Sequence, residues 1–173
     1  MERRRRTPLA PVLCALTVLI AAHAWVTHAE NAGVGRKMPD EGQQHIPVGT
    51  RAEYGHSPPT SGPHWPQWAR WGIYDRELPP ELWVHNLEHG GIVILYRCEP
   101  SCKELVQQLA DAYGSVPKSK HGHVKLVITP HQKLNTRLAI LAWTWIDELA
   151  EFDRDRLLRF YQAHIDQGPE DVP

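Results

Sequence analysis

The sequence carries no excess of charge. Nineteen Lys and Arg stand against 20 Asp and Glu, a formal net charge of −1, so the broad positive field that advertises nucleic-acid binding is missing. It has no internal repeat and no low-complexity tract beyond a run of four arginines near its start. Cysteine is scarce, with three in the chain. What is plentiful is 11 His, 15 Pro and 7 Trp in 173 residues. That mixture points to a metal or proton site and a loop-rich segment rather than to a fibre, a coiled coil or a disordered tail. The length, with 42% hydrophobic and 23% charged residues, predicts one compact globular domain rather than a two-domain enzyme.

Arg3, Arg4, Arg5 and Arg6 immediately precede an apolar stretch from Pro8 to Val26, after which Glu30 and Asn31 turn the chain polar. A basic cluster before an apolar run is retained in the cytoplasm and sends the downstream chain across the membrane. Residues 1–29 are therefore expected to be a signal peptide or a signal anchor. Ala22 with Ala24, or Thr27 with Ala29, supplies small residues for cleavage, whereas a run near the roughly 20 residues of a spanning helix suits an uncleaved anchor. Leu13 before Cys14 argues against lipidation, and no hydrophobic pair supports a twin-arginine signal. Either way the remainder is expected outside the cytoplasmic membrane, in the periplasm or at the cell surface. It would touch the membrane only through an uncleaved N-terminal helix. With Cys14 in the leader, Cys98 and Cys102 form an even pair in an oxidising compartment.

Residues 30–45 read as a linker and 46–171 as the globular domain. The chain from Asn31 to about Pro80 is rich in Pro and Gly, and Pro58, Pro59, Pro63, Pro66, Pro79 and Pro80 forbid long helices or central strands there. Trp65, Trp68, Trp71, Ile73 and Tyr74 give it apolar surface, so a structured loop layer is expected. The tryptophans also invite a carbohydrate-stacking reading beside the packing one. Gly91–Tyr96 is an uninterrupted β-branched run that reads as a buried strand. Ser101 and Glu104 form a capping box for a helix bearing Leu105, Leu109 and Tyr113 and closed by Gly114. Val124–Thr129 and Arg137–Trp145 read as two strands. Asp153 caps a last helix with Leu157, Leu158, Tyr161 and Ile165 as its buried stripe. The expectation is an α+β single domain: an N-terminal apolar helix, a loop layer, then β-α-β-β-α around a small sheet.

His85-Asn86-Leu87-Glu88-His89 is the densest group of ligand-type side chains. On a helical turn, residues four apart are neighbours and two imidazoles can share one ion. On a strand they stand about 13 Å apart, at roughly 3.3 Å per residue. Pro80 and Gly90 suit the two ends of a short helix, whereas the alternation Trp83, His85, Leu87, His89 suits a strand. The same pattern, His-x-x-Glu-His, occurs on the helix of inverted zinc proteases with Glu as base. Upstream, the rigid loop Thr60–Pro66 presents His64. His64, His85 and His89 would complete a three-histidine metal site, with Glu88, Asn86 or Tyr54 orienting the rings. All-imidazole ligation suits Zn, Cu or Ni. The competing reading has these histidines hydrogen-bonded to tie the loop layer onto the sheet. His56, His121, His123 and His131 are expected to face solvent. Cys98-Glu-Pro-Ser-Cys102 lies between a strand and a helix, as does the active-site turn of thioredoxin-like oxidoreductases and copper chaperones of that fold. A local structural disulfide competes with redox or Cu(I) work there.

Tyr54-Gly-His-Ser-Pro-Pro-Thr-Ser-Gly-Pro-His64, Trp71-Gly-Ile-Tyr74, His85–Gly91 with its strand, Thr129-Pro130, Ala142-Trp143 and Gly168-Pro-Glu170 resemble the bacterial family catalogued as domain of unknown function 3105. The resemblance spans residues 46–171. It implies an exported or membrane-anchored protein without an established activity, and it points to His64, His85, Glu88 and His89 as the site. The chain departs from the family at His131-Gln-Lys-Leu134, where members carry Tyr-Pro-Gly-Leu, and Cys98 and Cys102 lie outside the family signature. The resulting expectation is a non-catalytic envelope protein binding a transition metal such as Zn or Cu through its histidines, with its protein partner unknown. The alternatives are a structural or partner-binding module, a metallohydrolase using Glu88, and a thiol oxidoreductase or copper-handling protein using Cys98 and Cys102.

Overall fold

A computed structural model describes residues 35–99 and 101–173; the expected leader at 1–29 lies outside them. The elements are β1 (Arg36–Lys37), β2 (Gly72–Ile73), α1 (Pro80–Glu88), β3 (Ile92–Tyr96), α2 (Lys103–Tyr113), β4 (Leu126–Pro130), β5 (Leu138–Ala142), β6 (Trp145–Leu149) and α3 (Arg154–His164). The strands form one mixed sheet in the order β1-β6-β5-β3-β4-β2. β2, β4 and β3 run parallel, while β3–β5, β5–β6 and β6–β1 are antiparallel. The α+β expectation holds. Among the described residues, no helix is long and apolar enough to cross a membrane.

Every residue of β3, β4 and β5 is buried, which is why these strands read as continuous apolar runs rather than alternating ones. Alternate side chains feed two cores. Ile92, Ile94 and Tyr96 meet Leu105 and Leu109 of α2 and Phe160 and Tyr161 of α3. Val93 and Leu95 face the other way, onto Trp83, Val84 and Leu87 of α1. Fully burying one such side chain stabilises the fold by about 1.5–3 kcal/mol before entropy is counted. The helices α2 and α3 therefore cover one face, and α1 with the Pro-rich layer covers the other.

Three expectations need correction. The stretch Arg137–Trp145 is not one strand: Ala142 pairs with Trp145 across a two-residue turn, making the β5–β6 hairpin. No Gly or Asn announces that turn, because Thr144 takes the positive φ of 59° itself, a costly conformation for a β-branched residue. The loop layer holds it there, with Thr144 N–H donating to Thr60 O at 3.0 Å and Thr144 O accepting from Met38 N–H at 2.8 Å. The Ser101 capping box does not form either. Cys102 is the N-cap of α2, without a side-chain bond. Finally, α1 precedes β3, so the regular part reads α-β-α-β-β-β-α once the hairpin is counted as two strands. The Asp153 cap is present, its carboxylate accepting from Arg156 N–H at 2.9 Å.

The loop layer is built by backbone pairing. Gly62 N–H donates to Gly42 O at 2.8 Å, His64 N–H to Gln44 O at 3.0 Å, and Ile46 N–H to His64 O at 2.8 Å. These bonds lay residues 42–46 parallel to 62–64 and set His45 beside His64. Trp65 N–H donates to Glu81 O at 2.8 Å, and Asn86 clamps Ala69 through both its amide atoms, at 2.9 and 2.8 Å. The layer is thereby docked onto α1.

Candidate functional site

The helix α1 starts at Pro80, whose missing N–H costs nothing at a first helical position, and stops at the pair His89-Gly90, where Gly90 adopts φ 72°. Between these ends one face carries His85, Glu88 and His89. The helical alternative prevails over the strand at 85–89, and the two imidazoles meet with Nε2 atoms 2.9 Å apart. All three side chains are buried.

His64 is fully buried and faces this helix from the loop layer. Its Nδ1 donates to Gly62 O at 2.8 Å, and its Nε2 lies 2.9 Å from Glu88 Oε2. His85 repeats the arrangement, with Nδ1 donating to Trp65 O at 2.7 Å. A carbonyl oxygen can only accept, so each Nδ1 must carry the proton. The neutral His85 ring then directs its Nε2 lone pair inward, whereas His64 Nε2 donates to the Glu88 carboxylate and carries a proton that a bound ion would displace. Carbonyls in this position are what fix the tautomer and orientation of metal-ligating histidines.

A further histidine joins them that the sequence pattern does not single out. His45 stacks on His85, with ring centroids 5.1 Å apart and planes 12° from parallel, and stands edge-on to His64 at 4.9 Å. Its Nε2 is 3.6 Å from Glu88 Oε2, and that of His85 is 4.0 Å from the same oxygen. One ligand atom from each of His45, His64, His85 and Glu88 thus falls within 4.8 Å of all the others. For an ion about 2.0–2.1 Å from each nitrogen, a tetrahedral site needs edges of about 3.3 Å. The Glu88 distances of 2.9, 3.6 and 4.0 Å bracket that edge.

Electrostatics separates the rings. Burial opposes protonation of His64, but the hydrogen bond to Glu88, the Gly62 carbonyl and the charge of Glu88 outweigh it and raise its pKa. Burial likewise disfavours the Glu88 anion, yet the His64 hydrogen bond and the neighbouring rings hold its pKa below the usual carboxylate value. His85 is lowered, by burial first. Burial and the proximity of His85 push His89 down to about 4. His85 and His89 are neutral near pH 7, the form in which imidazole is a ligand.

Of the expected orienting groups, Glu88 is in the cluster itself. Asn86 bonds Ala69 and Tyr54 donates to Pro63 O at 2.9 Å, so both act on the backbone beside the rings. His89 makes a smaller group with His85 and Glu170. Trp68, 50% exposed, lies over His85 and His89 at centroid distances of 5.4 and 5.0 Å. Trp65 and Trp71 belong to packing: the indole of Trp65 donates to Thr50 O, and Trp71 lies on the α1-side core.

The other histidines are not simply solvent-facing. His56 is held between Glu41 and Thr60, and His131 is buried with Nδ1 2.8 Å from Glu77. Cys98 and Cys102 are disulfide-bonded and pack against the core under α2 and α3. No local pattern announces His45, because long-range backbone pairing delivers it. Glu170 belongs to the segment Gly168-Pro-Glu170, which the sequence marks without giving it a role.

A family model described as Protein of unknown function (DUF3105) matches residues 45–173. No curated protein and no solved structure matches the chain.

Proposed function

The chain belongs to the DUF3105 family of proteins of unknown function, and from its site we propose that it is an exported or membrane-anchored envelope protein that binds one transition-metal ion through His45, His64, His85 and Glu88. The observation that carries this reading is the convergence of three imidazole nitrogens and one carboxylate oxygen within 4.8 Å. Backbone carbonyls hold the far side of His64 and His85 so that both Nε2 atoms point to the shared centre, where an ion would displace the His64 Nε2 proton. The donor set suits Zn or Cu. Four protein ligands close a tetrahedral shell, which favours holding an ion over hydrolysis, since catalytic zinc keeps an open position. In this reading Glu88 is a ligand and not a free base. The basic and apolar leader sequence at 1–29 and the Cys98–Cys102 bond support placement in an oxidising compartment.

The test is elemental analysis and calorimetry on the untagged full chain in detergent, titrated with Zn, Cu and Ni. One ion per chain is expected. Glu88→Gln should weaken binding by at least the roughly 10–100-fold that even a supporting residue is worth. A Glu88→Gln protein that kept its metal and lost a hydrolytic activity would overturn this reading in favour of the base. A folded wild type that bound no ion above background would overturn it altogether.

A further inference from the structure

The segment after α3 doubles back over the end of α1. Asp166 N–H donates to Gly90 O at 2.8 Å and Glu170 N–H to Glu88 O at 3.1 Å. Gly168 passes so near that a Cβ there would run into the Glu88 carbonyl and the Gly90 backbone. Beneath it lies Lys125, a lysine with almost no solvent exposure. Its ammonium donates to His89 O at 3.0 Å and to Val172 O, and lies 3.5 Å from Asp166. A buried cation with these partners latches both the helix end and the C-terminal strap. The strap carries Glu170 to His89, with Oε2 3.2 Å from Nε2.

We infer that His85, His89 and Glu170 form a second metal position that shares His85 with the first, so that the chain holds one ion at a time and passes it between an inner and an outer set of ligands. This rests on the inner site proposed above. Ligand atoms of these three residues also lie within 4.8 Å of one another. Exclusivity follows from the chemistry of His85. With its Nδ1 proton committed to Trp65 O, the neutral ring has one lone pair, at Nε2, and one lone pair serves one ion. The outer set is the weaker. It offers three protein ligands instead of four, Glu170 is 42% exposed, and no carbonyl orients the His89 ring, whose Nδ1 is buried without a hydrogen-bond partner. Three protein ligands leave a coordination place open to solvent or to a receiving partner, which is what an ion needs in order to leave.

Two alternative positions give a pattern that one site does not. When one ion chooses between sets, the total affinity is the sum of the two, and losing the weaker set matters only after the stronger is damaged. Zinc affinity of the full chain, measured by chelator competition, should fall in His45→Ala. In that background, where the inner set is cut to three ligands and the outer set carries a larger share of the total, Glu170→Gln should lower affinity several-fold. The same change in the wild type should cost several times less. His64→Ala supplies an independent inner-site lesion, and His45→Ala, changing a side chain 46% exposed, keeps the test available if the buried substitution prevents folding. Equal losses from Glu170→Gln in all backgrounds, or two zinc ions per wild-type chain, would overturn the shared-ligand relay while leaving the inner site standing. A wild type that bound no zinc would instead fail the inner site itself.

Discussion

On the side of the sheet covered by α2 and α3, the buried cluster is built of apolar side chains such as Ile92, Ile94, Leu105, Leu109 and Phe160, with Asp147 paired to Arg156 and His164 packed on Phe160 at its margin. On the side covered by α1 and the loop layer, Trp83, Val84 and Leu87 share the interior with His64, His85, Asn86, Glu88 and His89. The same sheet separates the two environments, and the difference is one of cost. Apolar burial is favourable on its own, whereas each buried polar group must be matched by a partner. Asn86 is matched by Ala69 and two rings are matched by carbonyls. The Nε2 atoms of His64 and His85 meet Glu88 and His89, and that of His89 also meets Glu170.

The contrast between the two sides is disturbed most strongly from the apolar one. Phe160→Ala should destabilise the chain by about 3–5 kcal/mol through lost burial and a cavity, read by urea denaturation, while leaving zinc stoichiometry unchanged. On the polar side, zinc at about 100 times its dissociation constant should add about 2.7 kcal/mol to unfolding, seen as a rise in melting temperature. His64→Ala should remove most of that rise. The smallest effect is expected away from both interiors, where Asp153→Ala deletes the cap of α3 and should cost about 1 kcal/mol with no change in zinc affinity.

The apolar side is the more legible of the two in sequence. β3, β4, α2 and α3 announce themselves by β-branched runs, helical spacing and the Asp153 cap, because local patterns and burial agree there. The β5–β6 hairpin is hidden because Thr144 adopts a glycine-like backbone that only tertiary contacts sustain. In the site, His85, Glu88 and His89 can be grouped because four-residue spacing on a short helix is a local property. His64 can be added from its rigid loop. His45 and Glu170 cannot, since a parallel bridge to residue 64 and a strap latched by Lys125 bring them in from distant parts of the chain. The orienting roles expected of Asn86 and Tyr54 fall on backbone instead of rings for the same reason: spacing says which side chains are near, not what each will bond.

Everything proposed for the polar side depends on one ion sitting among His45, His64, His85 and Glu88. Zinc K-edge X-ray absorption on the loaded full chain reads that arrangement without an intermediary. Four nitrogen and oxygen neighbours at about 2.0–2.1 Å, with the outer scattering of three imidazoles, are expected. A water-dominated six-coordinate shell without imidazole scattering would contradict the proposal.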